Sequence, residues 1–249
     1  MKSSWIFLRG LSREEPLIGM NLFHRSLKSR LALTVHCIDL PGTGRFFKES
    51  SPVSIKGISD HLVENSSHIT EQCWILAHSM GCLAAIEWMK REPHRFHGAV
   101  FINTSIRGIS PLFGRLKPFG IRKFLELFIK RNNPKIREDI KYLLTSNDPL
   151  KKNATIPKWM EIQKKRPVTF ITAWKQIVAA TFYKAIKPRY PILLLNSSGD
   201  LLVNPESSVA IAKAWDLPIR THTWAGHDIM HDDPAWVADQ INEWQKSLG

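Results

Sequence analysis

The chain has little that would place it outside the cell or in a membrane. Its three cysteines in 249 residues are an odd number and too few for a disulfide framework. Two of them sit inside apolar strand or elbow patterns, where a reduced thiol packs as a small hydrophobe, so a reducing, cytoplasmic setting is expected. The N-terminus offers an apolar run only from Trp5 to Leu8 before Arg9, too short for the core of a signal peptide. No run approaches the ~20 residues a membrane-spanning helix needs. Internal repeats and low-complexity segments are missing, and 43% hydrophobic with 23% charged residues is a globular composition that argues against disorder.

Acidic residues are also scarce, 22 Asp+Glu against 35 Lys+Arg, for a formal net charge of +13. The excess is local: residues 107–188 hold 19 Lys+Arg against 5 Asp+Glu, a net of +14, and the rest of the chain is about neutral. Charge of this kind ordinarily points to nucleic acid or an anionic surface. With no recognition helix or zinc module and no aromatics interleaved with the cations, nucleic acid is not expected. What remains open is a solvated face, or electrostatic attraction of an anionic acyl carrier, a coenzyme A ester or an anionic lipid surface.

Short, nearly continuous apolar runs at Trp5–Leu8, Ala32–Ile38, Trp74–Ala77, Ala99–Ile102 and Ile192–Leu195 read as buried parallel strands. Helix patterns alternate with them. Ser54 is an N-cap candidate for a helix with Ile55, Ile58 and Leu62 on one face, and Asp233-Pro234 starts a last helix whose Val237, Ile241, Trp244 and Leu248 form a docking stripe. Such alternation predicts a doubly wound α/β sheet in one domain. It is interrupted between Arg107 and Pro188, where Ile121, Phe124, Leu125 and Phe128, then Ile136, Ile140 and Leu143, then Ile171, Trp174 and Val178 recur at helical spacing, predicting an insertion of about four helices.

One strand leads into Ala77-His78-Ser79-Met80-Gly81 and onward into a helix pattern. A hydroxyl held on a sharp strand-to-helix turn needs small residues two positions before and after it, because the backbones nearly touch there. Ala77 and Gly81 meet that demand, and Ser79 is the candidate nucleophile. Cys82 reads as a packed residue.

With these elements in order, the chain resembles an α/β-hydrolase, a family whose nucleophile, acid and histidine follow one another around a parallel sheet. The resemblance covers essentially the whole chain. It implies an α/β-hydrolase core over residues 1–106 and 189–249 with a helical cap at 107–188. Ser79 corresponds to the nucleophile, and Asp200, in Ser198-Gly199-Asp200 after the strand at Ile192, to the acid. His227, in Gly226-His227-Asp228 before the last helix, corresponds to the base. Asp228, Asp232 and Asp233 stay open as alternative acids, and His227 with His231 as metal ligands, although no complementary Cys/His group appears elsewhere and no metal is expected. The loop Asp39-Leu40-Pro41-Gly42-Thr43-Gly44 is similar to a turn of the family. The backbone N–H groups of Met80 and Leu11 would form the oxyanion hole. Where members commonly have His-Gly after the first strand, this chain has Arg9-Gly10, which would alter access or substrate preference. The chain begins almost at the strand that is third in the full family sheet.

The implied activity is hydrolysis of a small-molecule carboxylic ester through an acyl-enzyme, without a cofactor. Thioesters, ester-linked acyl carriers or coenzyme A, and C–C hydrolase or lyase chemistry use the same pocket and stay open. A non-enzyme alternative is an inactive scaffold that binds an anionic partner through its basic segment.

Overall fold

The computed structural model describes residues 4–14, 20–31, 34–110 and 114–249. Strands β1 (Ser4–Leu8), β2 (Thr34–Ile38), β3 (Cys73–His78), β4 (Phe96–Ile102), β5 (Ile192–Ser197) and β6 (Ile219–His222) form one sheet in the order β2-β1-β3-β4-β5-β6. Every neighbouring pair is parallel. Because successive side chains of a strand point to opposite faces, runs that are apolar at every position must be covered on both sides. Ile6, Leu8, Ile75, Ala99, Phe101 and Leu194 enter one core. Trp5, Phe7, Leu76, Val100, Ile102, Leu193 and Leu195 enter the other.

Helix α1 (Met20–Leu31) packs Phe23 and Leu27 into the second core, whereas α2 (Ile55–Asn65) and α3 (Met80–Arg91) close the first. The Ser54 hydroxyl caps α2, accepting from the Gly57 N–H at 3.1 Å. Four helices lie between β4 and β5, namely α4 (Pro118–Ile129), α5 (Pro134–Thr145), α6 (Pro149–Lys165) and α7 (Phe170–Phe182). Helix α8 (Glu206–Trp215) returns to the first core, and α9 (Ile229–Asp232) and α10 (Pro234–Ser247) close the second.

Several details differ from the sequence reading. Of the strand expected from Ala32, residues 32–33 lie outside the described residues and β2 begins at Thr34. Strand β6 carries only Ile219 as an apolar residue in Ile219-Arg220-Thr221-His222, and its position at the sheet edge explains why it lacks the continuous apolar run of its neighbours. Leu248 lies past the end of α10 and is exposed, so Val237, Ile241 and Trp244 make the stripe without it. In α4 and α7 the periodic residues mostly face outward: Ile121, Leu125, Phe128, Ile171 and Trp174 are all exposed.

Asp233 caps α10 by accepting from the Trp236 N–H at 3.0 Å, and its other oxygen lies 3.3 Å from His222 Nε2. Replacing an N-cap carboxylate with alanine typically costs about 1 kcal/mol. Asp233→Ala is expected to lower unfolding stability by that amount in urea titration, and a loss below about 0.3 kcal/mol would show that the cap contributes nothing here.

Candidate active site

Ser79 lies between the end of β3 and the start of α3 with φ 54° and ψ −122°. A positive φ is strained for any residue with a Cβ, by roughly 1–3 kcal/mol, so the neighbours must hold it. They do so through backbone groups: the Ser79 N–H donates to Ile102 O at 2.8 Å, and the Ser79 carbonyl accepts from Thr104 Oγ1 and Cys82 N–H, each at 3.1 Å. The turn also requires its glycines. A Cβ on Gly81 would lie 2.5 Å from Arg9 O and 2.8 Å from Leu8 O, and one on Gly10 would lie 2.9 Å from Ser79 Cβ. The segment leaving β1 therefore presses directly on the serine turn, bringing the residue after Gly10 (Leu11) and the residue after Ser79 (Met80) into adjoining turns. Cys82 is buried below them, its thiol within 3.2 Å of Ala77 O and pushed up to about 12 by burial.

Asp200 and His227 are brought together. His227 Nδ1 lies 2.6 Å from Asp200 Oδ2, with both side chains almost wholly buried. The other carboxylate oxygen accepts from the Leu202 and Val203 N–H groups at 2.8 and 2.9 Å, which fixes the carboxylate's rotation. Gly199 packs against the carbonyls of Trp224 and Ala225 without room for a Cβ, so the loop after β5 and the loop before His227 touch backbone to backbone. The His227 carbonyl accepts from Asn103 Nδ2 at 2.7 Å and His78 Nε2 at 2.9 Å, and the two imidazole rings stand 4.7 Å apart. His227 is thereby tied to the residue that immediately precedes Ser79.

The other acids are engaged elsewhere. Asp228 pairs with Arg9, Asp232 accepts from Ser146, Asn147 and Gly226, and Asp233 caps α10. Among the described residues no group of three or more His, Cys, Asp or Glu is arranged to hold a metal ion.

Residues outside the sequence motifs complete the arrangement. Asn103 crosslinks three segments, since its Oδ1 accepts from the Ser197 N–H at 3.0 Å while its amide holds the His227 carbonyl. Gln176 of α7 accepts from the Ser12 N–H at 3.0 Å and donates to Pro41 O at 3.2 Å. Arg9, expected to alter access or substrate preference, is buried in its pair with Asp228. A lone buried amide or guanidinium has no local sequence signature, and only the odd Arg-Gly pair gave a signal.

Burial lowers His78 from 6.5 to about 3, with the neighbouring His227 adding to the effect. Its folded pKa lies below its unfolded one, so the unfolded chain binds the extra proton. The folded state should lose stability as pH falls from about 6.5 toward 3, at up to about 1.4 kcal/mol per pH unit. His78→Gln retains an N–H donor for the His227 carbonyl and should flatten that slope. A stability difference between variant and wild type that stays constant from pH 7 to 4 would contradict it.

The profile of the serine aminopeptidase S33 family (Hydrolase_4) matches residues 33–234. No curated protein sequence matches the chain. Solved structures resemble it in fold. The esterase RhEst1 of Rhodococcus sp. ECU1013 superposes with a TM-score of 0.71 at 18% identity, covering 100% of this chain and 92% of that one. The monoacylglycerol lipase of Paleococcus ferrophilus gives 0.60 at 16%, covering 99% and 95%. BpoC of Mycobacterium tuberculosis H37Rv, assigned as a non-heme bromoperoxidase, gives 0.72 at 17%, covering 100% and 94%. At such identities the structures speak for the fold alone. With a family match over most of its length and a six-stranded parallel sheet flanked by helices, the chain belongs to the serine aminopeptidase S33-like hydrolases of the α/β-hydrolase fold.

Proposed function

We propose that the protein is a serine hydrolase that cleaves a carboxylic ester through an acyl-enzyme. The observation that carries the proposal is the buried 2.6 Å contact between His227 Nδ1 and Asp200 Oδ2, in a loop tied to the residue before a strained Ser79. A carboxylate can only accept, so Nδ1 carries the proton and Nε2 is left to exchange one. Ser79 Oγ adds to the ester carbonyl carbon as Nε2 takes its proton, and Asp200 stabilises and orients the imidazolium. The Leu11 and Met80 N–H groups receive the oxyanion. The adduct collapses, the C–O bond to the alcohol breaks, and His227 returns the proton to the leaving oxygen. Water repeats the sequence on the acyl-enzyme and releases the acid.

Ser79→Ala should keep the fold and abolish both p-nitrophenyl ester hydrolysis and fluorophosphonate labelling. Asp200→Asn and His227→Ala should each lower kcat by about 10⁴-fold, with no further loss when combined with Ser79→Ala, because such residues act as a unit. Labelling that persists in Ser79→Ala would sink the assignment. Asp228→Asn proving more damaging than Asp200→Asn would move the acid.

The substrate side rests on residues 107–188, which we propose act as a cap facing an anionic lipid surface. Leu125 and Ile129 of α4 are 61% and 74% exposed, Ile171 and Trp174 of α7 are 65% and 57% exposed, and the Phe128 and Phe170 rings join the two helices at 4.8 Å. An exposed apolar face of this kind marks an interaction surface, and a segment carrying +14 suits anionic headgroups. The same helix α7 holds the Ser12 turn through Gln176, so lipid would meet the protein close to the nucleophile. The buried Cys73 and Cys82 thiols fit a cytoplasmic location, and among the described residues no helix is long and apolar enough to cross a membrane.

Sedimentation with phosphatidylglycerol vesicles should exceed that with phosphatidylcholine, and should weaken as the Debye length falls from about 10 Å at 0.1 M to about 3 Å at 1 M salt. Leu125→Glu with Ile129→Glu should remove it without changing hydrolysis of a soluble ester. Equal binding to both vesicles, or none, would return these residues to an ordinary solvated face.

A further inference from the structure

A buried ion pair joins the turn after β1 to the loop that carries His227, and the chemistry above leaves it unused. The Arg9 and Asp228 side chains are 3% and 4% exposed. The guanidinium engages both carboxylate oxygens, Nη2 donating to Oδ2 at 2.7 Å and Nη1 to Oδ1 at 3.4 Å. The partners are 219 residues apart in sequence and meet only in the folded chain. Each adjoins a proposed catalytic element, Arg9 preceding Gly10 and Leu11 and Asp228 following His227. The main chain of each is also fixed: Arg9 O abuts Gly81, and the Asp228 N–H donates to Thr145 O at 2.7 Å.

Desolvation cancels most of what such a pair contributes to stability, whereas removing one partner leaves an uncompensated buried charge. Asp228 is a second carboxylate one residue from His227 and close to His78. Alone it would favour protonated imidazole; Arg9 alone would oppose it. Burial by itself would raise the Asp228 carboxyl, but the Arg9 guanidinium overcomes this and holds it well below the usual carboxylate range, with a smaller contribution from His78. In the intact pair the two effects on the imidazoles oppose each other.

Resting on the serine-hydrolase reading, we infer that Arg9 is a positioning residue: through Asp228 it fixes the His227 loop against the turn carrying the Leu11 N–H, and it neutralises Asp228 so that Asp200 is the carboxylate that acts on His227. The charged and titratable groups that bear on this assembly come from several elements. Arg9 and Arg13 follow β1, His24 lies on α1, His78 ends β3, Glu138 lies on α5 and Lys151 on α6, Asp200 follows β5, and Asp228, His231 and Asp232 belong to the loop and short helix around His227. Arg13 feels the charges of both partners, and its guanidinium sits 4.0 Å over the Trp159 ring with Nη2 donating to Thr145 Oγ1 at 3.1 Å.

The test compares wild type with Arg9→Met, Asp228→Asn, Arg9→Lys and the double variant Arg9→Met/Asp228→Leu. Two readouts are used: the His227 ring titration by NMR, and the pH profile of kcat and KM for p-nitrophenyl acetate. Arg9→Met removes the charge that offsets Asp228, so the buried Asp228 carboxyl rises, and over the pH range in which it stays ionised the His227 midpoint and the acid limb of kcat/KM should move up. Asp228→Asn leaves Arg9 positive and should move both down by a similar amount. The double variant removes both charges and puts apolar groups in their place, the replacement a buried ion pair tolerates best. Its midpoint should return to the wild-type value while kcat falls about 10- to 100-fold at unchanged KM, because the two loops are no longer fixed in register. Arg9→Lys keeps the charge but not the fork, so the midpoint should hold and kcat should be intermediate.

Shifts of the same sign in the two single variants, or wild-type kcat in the double variant, would overturn the inference. If Arg9→Met fails to fold, the downward shift in Asp228→Asn and the kcat loss in the double variant decide the matter. A wild-type protein that takes no fluorophosphonate at Ser79 would defeat the hydrolase reading instead, and the NMR titration would still report whether Arg9 cancels Asp228.

Discussion

The close approach of glycine backbone to neighbouring loops at the carboxyl ends of the strands is the constraint on which the site depends. Gly10 meets Ser79, Gly81 meets the carbonyls of Leu8 and Arg9, and Gly199 meets those of Trp224 and Ala225, each without space for a side chain. Parallel strands end on the same side of a sheet, so a loop that leaves one strand is forced over its neighbour. Where the loops touch with main chain alone, the side chains beside the glycines are held at fixed separations. Ser79 can keep a positive φ because the sheet on either side over-determines it.

Hydrogen bonds then convert this closeness into orientation. The His227 carbonyl is bonded by Asn103 and His78, the Asp200 carboxylate by two backbone N–H groups, and the Gly226 N–H by Asp232. In a region so poorly hydrated a polar group without a partner costs about 1–3 kcal/mol. Rotating His227 or Asp200 out of register would break several bonds at once, and the imidazole is therefore held by its main chain as much as by its ring.

Much of this was legible in the sequence, and the reason is that local chemistry leaves local signatures. Apolar runs announced β1 to β5 and small residues on either side of Ser79 announced the turn, while the loops of Asp200 and His227 were placed by the family resemblance. What stayed hidden is long-range or decided by packing. The Arg9–Asp228 pair, the Asn103 crosslink and the Gln176 bonds join residues far apart in the chain. The 3.6-residue periodicity of α4 and α7 shows that each is amphipathic but not what meets the apolar side, and here Leu125, Ile129, Ile171 and Trp174 turn outward. Strand β6, with one apolar residue at a sheet edge, had no pattern to read.

The outward apolar side has a counterpart in how the segment between β4 and β5 meets the site. Thr145, Ser146 and Asn147 at the end of α5 bond the His227 loop and the Asp232 carboxylate, Asn147 also reaches Gly199 O, and Gln176 of α7 bonds the turns after β1 and β2. Helix α6 buries Ile156, Trp159 and Ile162 in the second core, where Tyr142 of α5 joins them, and α7 sends Ala179 into the first. The bonds near the site are polar and specific, each contributing on the order of 1 kcal/mol net, while apolar anchorage comes from the buried residues of α5, α6 and α7. The exposed apolar residues of α4 and α7 therefore take no part in holding the geometry around His227, which rests on these bonds and buried contacts.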